Sequence, residues 1–249
     1  MFSKKDVIKK ILLTCSSAKE GHVPSALSIL DILYVVYRDY VSLEKGRFVL
    51  SKGHASIGLY AILDYFSMLE EPIENFCKFD SKLGGHPSCR LNHVECSTGS
   101  LGHGMPFALG MAMSEKIKGS DKKVFTIIGD GESNEGTIWE TALLASHHKV
   151  NNFCCILDHN HSTDRALDIG NMIQKFKSFG WMCSKVNGHD LTNLSKVLKK
   201  SDPEKPHFIL AHTVKGKGIK CMENNPEWHH KSPSQIDCDN MIKELYESV

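Results

Sequence analysis

The chain has 249 residues, 41% hydrophobic and 24% charged, and its 30 Lys+Arg nearly balance 29 Asp+Glu. Such a length buries a sizeable α/β core without disulfide or metal staples, and the net charge of +1 excludes binding of nucleic acid through bulk positive charge. No apolar run reaches the roughly 18–20 residues of a membrane helix, and the charged start Ser3-Lys4-Lys5-Asp6, followed by an apolar stretch broken at Lys9 and Lys10, does not read as a secretory leader.

Val7, Ile8, Ile11, Leu12 and Cys15 recur at helical spacing. Gly21 to Pro24 breaks that pattern, and Ser25 is then the expected N-cap of a helix to about Tyr40. Phe48-Val49-Leu50 predicts a short strand ending in Ser51-Lys52-Gly53-His54, and a helix follows from about Ser56 to Phe66. Glu71-Pro72 predicts a further short helix. Residues 80 to 104 carry Gly, Ser, His and Pro without periodicity and read as a long loop, of a length that is usually functional or disordered. Met105, Leu109 and Met113 mark the next helix. From there strands alternate with helices: Val124–Ile128, Thr137–His147, Phe153–Leu157, Asn171–Phe179, Trp181–Val186, Leu191–Lys199 and His207–Ala211. A last helix is expected over Gln235–Tyr246. The alternation predicts an α/β fold, a doubly wound, mostly parallel sheet with helices on both faces, and a single domain over residues 1–249. Nine cysteines, an odd number with no Cys-x-x-Cys pair, predict reduced, buried thiols in a cytoplasmic protein.

Histidine is over-represented. Five of the 14 His follow a Gly (His22, His54, His86, His103, His189), where 19 Gly and 14 His placed at random give about one such pair. Imidazole donates and accepts hydrogen bonds near neutral pH, and a preceding glycine allows tight turns or close approach to a ligand.

In a doubly wound sheet ligands bind beyond the carboxyl ends of the strands. Gly129-Asp130-Gly131 follows one predicted strand and Asp158-His159-Asn160 follows the next. Asp130 and Asn160 offer hard oxygens of the kind Mg²⁺ takes together with diphosphate oxygens. The alternative is a glycine-rich turn in which Asp130 caps the following helix.

Gly129-Asp130-Gly131 with Asn160 resembles the fingerprint of thiamine-diphosphate enzymes. The resemblance widens through Gly21-His22, Ser51-Lys52-Gly53-His54, Gly85-His86-Pro87, Ser97-Thr98-Gly99-Ser100-Leu101-Gly102, Glu132, Glu135-Gly136, Phe179-Gly180-Trp181, Gly188-His189-Asp190 and His212-Thr213-Val214-Lys215-Gly216-Lys217-Gly218. Together these are similar to the N-terminal, diphosphate-binding domain of transketolases, over about residues 6 to 235. The resemblance implies thiamine diphosphate and Mg²⁺ as cofactors. It implies Asp130, Asn160 and the Ser162 carbonyl as metal ligands, and Gly131 as a donor to the diphosphate. Gly99, Ser100 and Leu101 would line the cofactor, His54 and His229 would contact diphosphate and substrate, and His22 and His86 would hold donor hydroxyls. Glu135 would lie near the contact between chains that joins two active sites.

His189 is expected to stabilise a loop, and Lys215 and Lys217 to be solvated or structural. His103 is open between ligand contact and loop packing. The chain departs from the family at Val23-Pro24-Ser25, where Pro24 is expected to stiffen a loop, at His161-Ser162-Thr163-Asp164-Arg165, and at Trp228-His229-His230, where the role goes to His229 with His230 as the alternative. The pyrimidine-binding and C-terminal domains of the family are absent from this chain. The resemblance is therefore to the first subunit of the split, two-chain type. It implies a partner subunit carrying the pyrimidine-binding domain, a heterotetramer, a sugar or sugar-phosphate substrate, and transfer of a two-carbon ketol unit from a ketose to an aldose. The other readings are a thiamine-dependent synthase with a different substrate and a non-catalytic scaffolding protein. A histidine-based metal hydrolase is disfavoured because no compact His-x-x-x-His ligand motif is present.

Overall fold

A computed structural model describes residues 2–163 and 166–247. Asp164 and Arg165, part of the departing segment after Asn160, lie outside the described residues. Five parallel strands form one sheet: β1 (Gly46–Leu50), β2 (Lys123–Gly129), β3 (Phe153–His159), β4 (Met182–Asn187) and β5 (His207–His212), in the order β1-β2-β3-β5-β4. All five lie where the hydrophobic runs place them. Eight α-helices connect and cover them: α1 (Lys4–Ala18), α2 (Val23–Val36), α3 (Ser56–Tyr65), α4 (Gly104–Ile117), α5 (Gly136–His147), α6 (Met172–Ser178), α7 (Leu191–Leu198) and α8 (Gln235–Glu247). No helix among the described residues is long and apolar enough to cross a membrane.

Alternation along the strands builds two cores. Phe125, Ile127, Ile156, Ile209 and Ala211 pack on one face with α1, α2, α3, α7 and α8. Val124, Ile128, Cys155, Leu157, Phe208 and Leu210 face α4, α5 and α6. Strands covered on both faces read as continuous apolar runs, which is why they were legible.

Five local expectations are corrected. Ser25 is not the N-cap of α2; His22 holds that position, and Pro24 sits in the first turn. A proline there has a pre-set φ and no N–H to satisfy, so it starts the helix and does not stiffen a loop. The helix also ends at Val36 and passes into one π-helical turn, Tyr37–Val41. After Pro72 there is only a 3₁₀ turn, Ile73–Asn75. The nine cysteines are free, but only Cys15, Cys154, Cys155 and Cys238 are buried, while Cys77, Cys89 and Cys221 are exposed.

The stretch between Asn75 and Gly104 has neither helix nor strand, yet it is tied down. Arg47 on β1 grips Glu95 through Nε at 2.7 Å and Nη2 at 2.5 Å, and reaches Glu115 of α4 at 3.2 Å. Such forked pairs fix position as well as charge. Ser56 donates to the Gly85 carbonyl at 2.8 Å, and Tyr60 to that of His86 at 3.1 Å. These bonds bring His86 and Gly99 to the carboxyl ends of the strands.

Candidate active site

The carboxyl ends of β1, β2, β3 and β5, neighbours in the sheet, open into a cavity of about 390 Å³. It gathers most of the expected residues: His22, His54, His86, Gly99, Leu101, Asp130, Gly131, Asn160, Ser162 and His229 all line it. Two expected residues do not. Ser100 is exposed and turns its hydroxyl to His103 Nδ1 at 3.2 Å. Glu135 is exposed at the N-cap of α5, where its Cβ backs against the Gly102 turn. His103 also bonds the Leu101 carbonyl at 3.0 Å, so it packs on its own loop.

Close backbone approach explains one of the glycines. A Cβ at Gly53 would sit 2.8 Å from Thr98 Oγ1 and 2.9 Å from Gly99 N. Only a glycine lets the turn after β1 press against the Gly99 loop. That contact brings His54 and Gly99 into one wall.

The oxygens of Asp130 and Asn160 converge on one donor. Ser162 N–H donates to Asp130 Oδ2 at 2.7 Å and to Asn160 Oδ1 at 3.1 Å, and Ser162 Oγ donates to Asp130 Oδ1 at 3.1 Å. Gly131 N–H also donates to Asp130 Oδ1, at 2.8 Å. A carboxylate and an amide oxygen held this close are a hard donor set that fits Mg²⁺. Ser162 meets them through its N–H and hydroxyl. Asp130 does both jobs left open by the sequence: it lines the cavity and it also caps the 3₁₀ turn Gly131–Asn134.

Beneath these oxygens lies a network that sequence reasoning missed. Asp158 is fully buried and accepts from Lys52 Nζ, Ser28 Oγ at 2.7 Å, Thr213 Oγ1 and Asn160 Nδ2 at 2.8 Å. Burial alone would raise its carboxyl, but Lys52, Thr213 and Ser28 outweigh burial and hold it below the usual carboxylate range. Asp158 thereby fixes the Asn160 amide with its oxygen towards Asp130. Glu132 is buried too, accepting from Ser51 Oγ at 2.5 Å, Gly102 N at 2.8 Å and Gly129 N at 3.1 Å. Burial pushes its carboxyl up against those donors. The signals were present: a charged Asp inside a buried strand, and a Lys two residues after another.

Lys215 also departs from expectation. It is 8% exposed, lines the cavity, and its Nζ lies 2.9 Å from His229 Nδ1. Burial and the neighbouring Lys52 lower it to about 8, against the pull of Asp130 and Asp158. Lys217 instead pairs with Glu223 at the surface. His229 faces the cavity, whereas His230 is exposed, stacks on His22 with ring centroids 4.4 Å apart, and bonds Glu20 at 3.1 Å. His189 bridges Asp31 Oδ2 at 2.8 Å and Val214 N at 2.9 Å, the loop-stabilising place expected of it.

Three of the cavity imidazoles, His22, His54 and His229, are held towards the neutral form. Burial, then the neighbouring His230 and His229, lowers His22 to about 4. Burial, then Lys52, lowers His54 to about 2. Burial, then Lys215, lowers His229. A neutral ring both accepts and donates, as positioning of hydroxyls requires. Stability carries the same signature. Between pH 6.5 and 4 the unfolded chain binds protons at His22 and His54 and the folded chain does not. Unfolding free energy therefore falls as pH drops, by up to about 1.4 kcal/mol per pH unit for each neutral histidine. Denaturant unfolding across that range checks this: His54→Gln should flatten the slope, and an unchanged slope would contradict it.

The model of the transketolase thiamine diphosphate binding domain matches residues 6–245. An apulose-4-phosphate transketolase subunit from Phocaeicola vulgatus is 31% identical over 97% of this chain and 92% of its own length. The protein of the same name from Actinobacillus succinogenes is 34% identical over 95% of this chain and 92% of its own. Transketolase from Campylobacter jejuni superposes with a TM-score of 0.87 at 29% identity, covering 98% of this chain and 41% of the longer one. The chain thus spans about two fifths of that solved transketolase and nearly the full length of the two apulose-4-phosphate transketolase relatives. The chain belongs to the transketolase family, as its thiamine-diphosphate-binding domain.

Proposed function

We propose that this chain is the N-terminal subunit of a two-chain transketolase, dependent on thiamine diphosphate and Mg²⁺, which moves a two-carbon ketol unit from a ketose or ketose phosphate to an aldose. The observation that carries the proposal is the convergence of Asp130 and Asn160 oxygens beneath a cavity walled by histidines. Thiamine diphosphate supplies the electron sink for breaking the carbon–carbon bond beside a ketose carbonyl. Asp130 and Asn160 hold the Mg²⁺ on its diphosphate, with the Ser162 carbonyl as a third oxygen. The Gly131 N–H, His54 and His229 take diphosphate oxygens, and Gly99 and Leu101 face the cofactor's rings, with the Ser100 backbone between them. His22 and His86 orient the hydroxyls of the donor sugar, and His54 and His229 reach the substrate as well. Lys215 adds a cation beside His229.

Two features support a partner chain that completes the site and brings the pyrimidine-binding domain. Two relatives that match this chain over nearly the whole of their own length carry names that designate one subunit of a transketolase. Leu101, Phe107, Leu143 and Leu144 stand between 37% and 58% exposed on α4, α5 and the preceding turn, apolar area that a second chain can cover. Glu135 lies beside that turn, as a role at the contact between chains requires. Symmetric closure of paired sites favours a heterotetramer with two copies of each chain.

The test is reconstitution with the partner chain and an aldose acceptor, reading the carbonyl product released from ketose phosphates, apulose 4-phosphate first because two relatives carry it in their names. Turnover is expected only with both chains, cofactor and Mg²⁺ present. Full ketol transfer by this chain alone would remove the partner from the proposal. Absence of turnover on every ketose phosphate, with cofactor bound, would remove the transferase reading. In the same assay His229→Ala is expected to lower kcat/KM by at least about 10-fold, a loss of about 1.4 kcal/mol, and His230→Ala by less than about 3-fold. The reverse order would assign the role to His230.

A further inference from the structure

Three histidines meet on the strand ends, next to the oxygen pair but formed by other side chains. His159 ends β3 and His212 ends β5, and the two are paired in register on adjacent parallel strands. Side chains in register on neighbouring strands share a face, so both rings leave the sheet on the same side. Asp158, one residue earlier, points to the other side, towards Lys52. Both backbones are locked: Thr213 N–H donates to the His159 carbonyl at 3.1 Å, and Gly188 N–H to the His212 carbonyl at 2.8 Å. His161 follows two residues after β3 with φ +63°, which turns the chain back over the strand ends. Its ring centroid lies 4.1 Å from that of His159 and 6.4 Å from that of His212, and His159 and His212 are 5.4 Å apart. One ring nitrogen from each residue falls within 4.8 Å of the others. No other three His, Cys, Asp or Glu among the described residues bring ligand atoms so close.

We propose that His159, His161 and His212 form a three-imidazole site for a divalent transition cation of the Zn²⁺ class. Imidazole nitrogens suit Zn²⁺, Co²⁺, Ni²⁺ and Cu²⁺ and not Mg²⁺, so the site is chemically separate from the oxygen pair of Asp130 and Asn160. Tetrahedral Zn²⁺ at about 2.0–2.1 Å from each nitrogen places the nitrogens about 3.3 Å apart. Closing from 4.8 Å therefore needs a shift of about 1.5 Å, which side-chain rotation of the exposed His161 and His212 supplies. Three protein ligands leave a fourth position to water or a small anion. Because His161 stands between Asn160 and Ser162, a cation held there pins the loop that carries both.

The test uses the full chain, with thiols kept reduced and Mg²⁺ in excess to occupy hard-oxygen sites. Zn²⁺ is titrated by calorimetry, and Co²⁺ by its visible absorption. One equivalent is expected, with the strong visible bands of tetrahedral Co²⁺ and no thiolate charge-transfer band. His161→Ala and His212→Ala should each weaken binding at least about 10-fold, and His147→Ala should leave it unchanged. Retention of wild-type affinity in the His161→Ala/His212→Ala double variant would overturn the proposal. So would absence of an equivalent, or an equivalent carried by thiolate bands.

Discussion

Asp130→Ala is expected to weaken Mg²⁺-dependent binding of thiamine diphosphate by at least ~100-fold, about 2.7 kcal/mol, while the fold persists. Asp130 follows β2 directly, and its carboxylate is the acceptor on which Gly131 N–H, Ser162 N–H and Ser162 Oγ all close. Removal takes away an anionic oxygen for the cation and unties the turn that carries Ser162. The freed donors face a cavity, where water can satisfy them, so stability suffers far less than binding. Asp130→Asn keeps one oxygen and should fall between the two. Calorimetry with Mg²⁺ and with EDTA reads the affinity, and circular dichroism reads the fold. Wild-type affinity in Asp130→Ala, or affinity indifferent to Mg²⁺, would place the cation elsewhere.

Asp158→Ala has the opposite profile, a large loss of stability. Lys52 and Asp158 are both almost wholly buried, with side-chain exposures of 2% and 0%. Stripping one partner from a buried pair leaves an uncompensated charge, at a cost of about 3–5 kcal/mol. For a chain of this length that is a fall in melting temperature of about 6–20 °C, at about 2–4 °C per kcal/mol. Ser28 and Thr213 lose their acceptor as well, and Asn160 loses the bond that orients its amide. The single Lys52→Met should also destabilise. The double variant Lys52→Met/Asp158→Leu should lose clearly less than the two singles together, because no lone charge is left behind. Additive losses would show that the pair acts as two independent polar residues. Acid behaves the same way. A carboxyl held below its unfolded value gives stability above about pH 4 that is lost as pH falls towards its folded value.

What could be read in advance followed the range of each signal. β2 and β3 were legible because the five-residue, mainly apolar runs Val124–Ile128 and Phe153–Leu157, covered on both faces, need no partner to be recognised. Asp130 and Asn160 were legible because each directly follows such a run, where a parallel sheet puts its ligands. The histidines on Gly-led turns were legible through their number, and the turns do bring His22, His54 and His86 to one cavity. The buried charge network was not. Lys52 and Asp158 meet only because β1 and β3 flank β2, and no local pattern announces that adjacency. Lys215 looked like one of several basic residues in a glycine-rich tail, and its burial comes from the fold of the segment after β5 over the cavity. Ser25 gave the usual cap signal and lost to Pro24, which satisfies the first helical turn by having no N–H.

The most direct test of the central claim is the melting temperature of the two-chain complex with and without thiamine diphosphate and Mg²⁺. A ligand that binds only the folded state at 100 times its Kd adds about 2.7 kcal/mol, a rise of about 5–11 °C for a chain of this size. The site described predicts that rise, its dependence on Mg²⁺, and its disappearance in Asp130→Ala. No shift in the presence of the partner chain would contradict it and would leave a scaffold that has kept the fold without the cofactor.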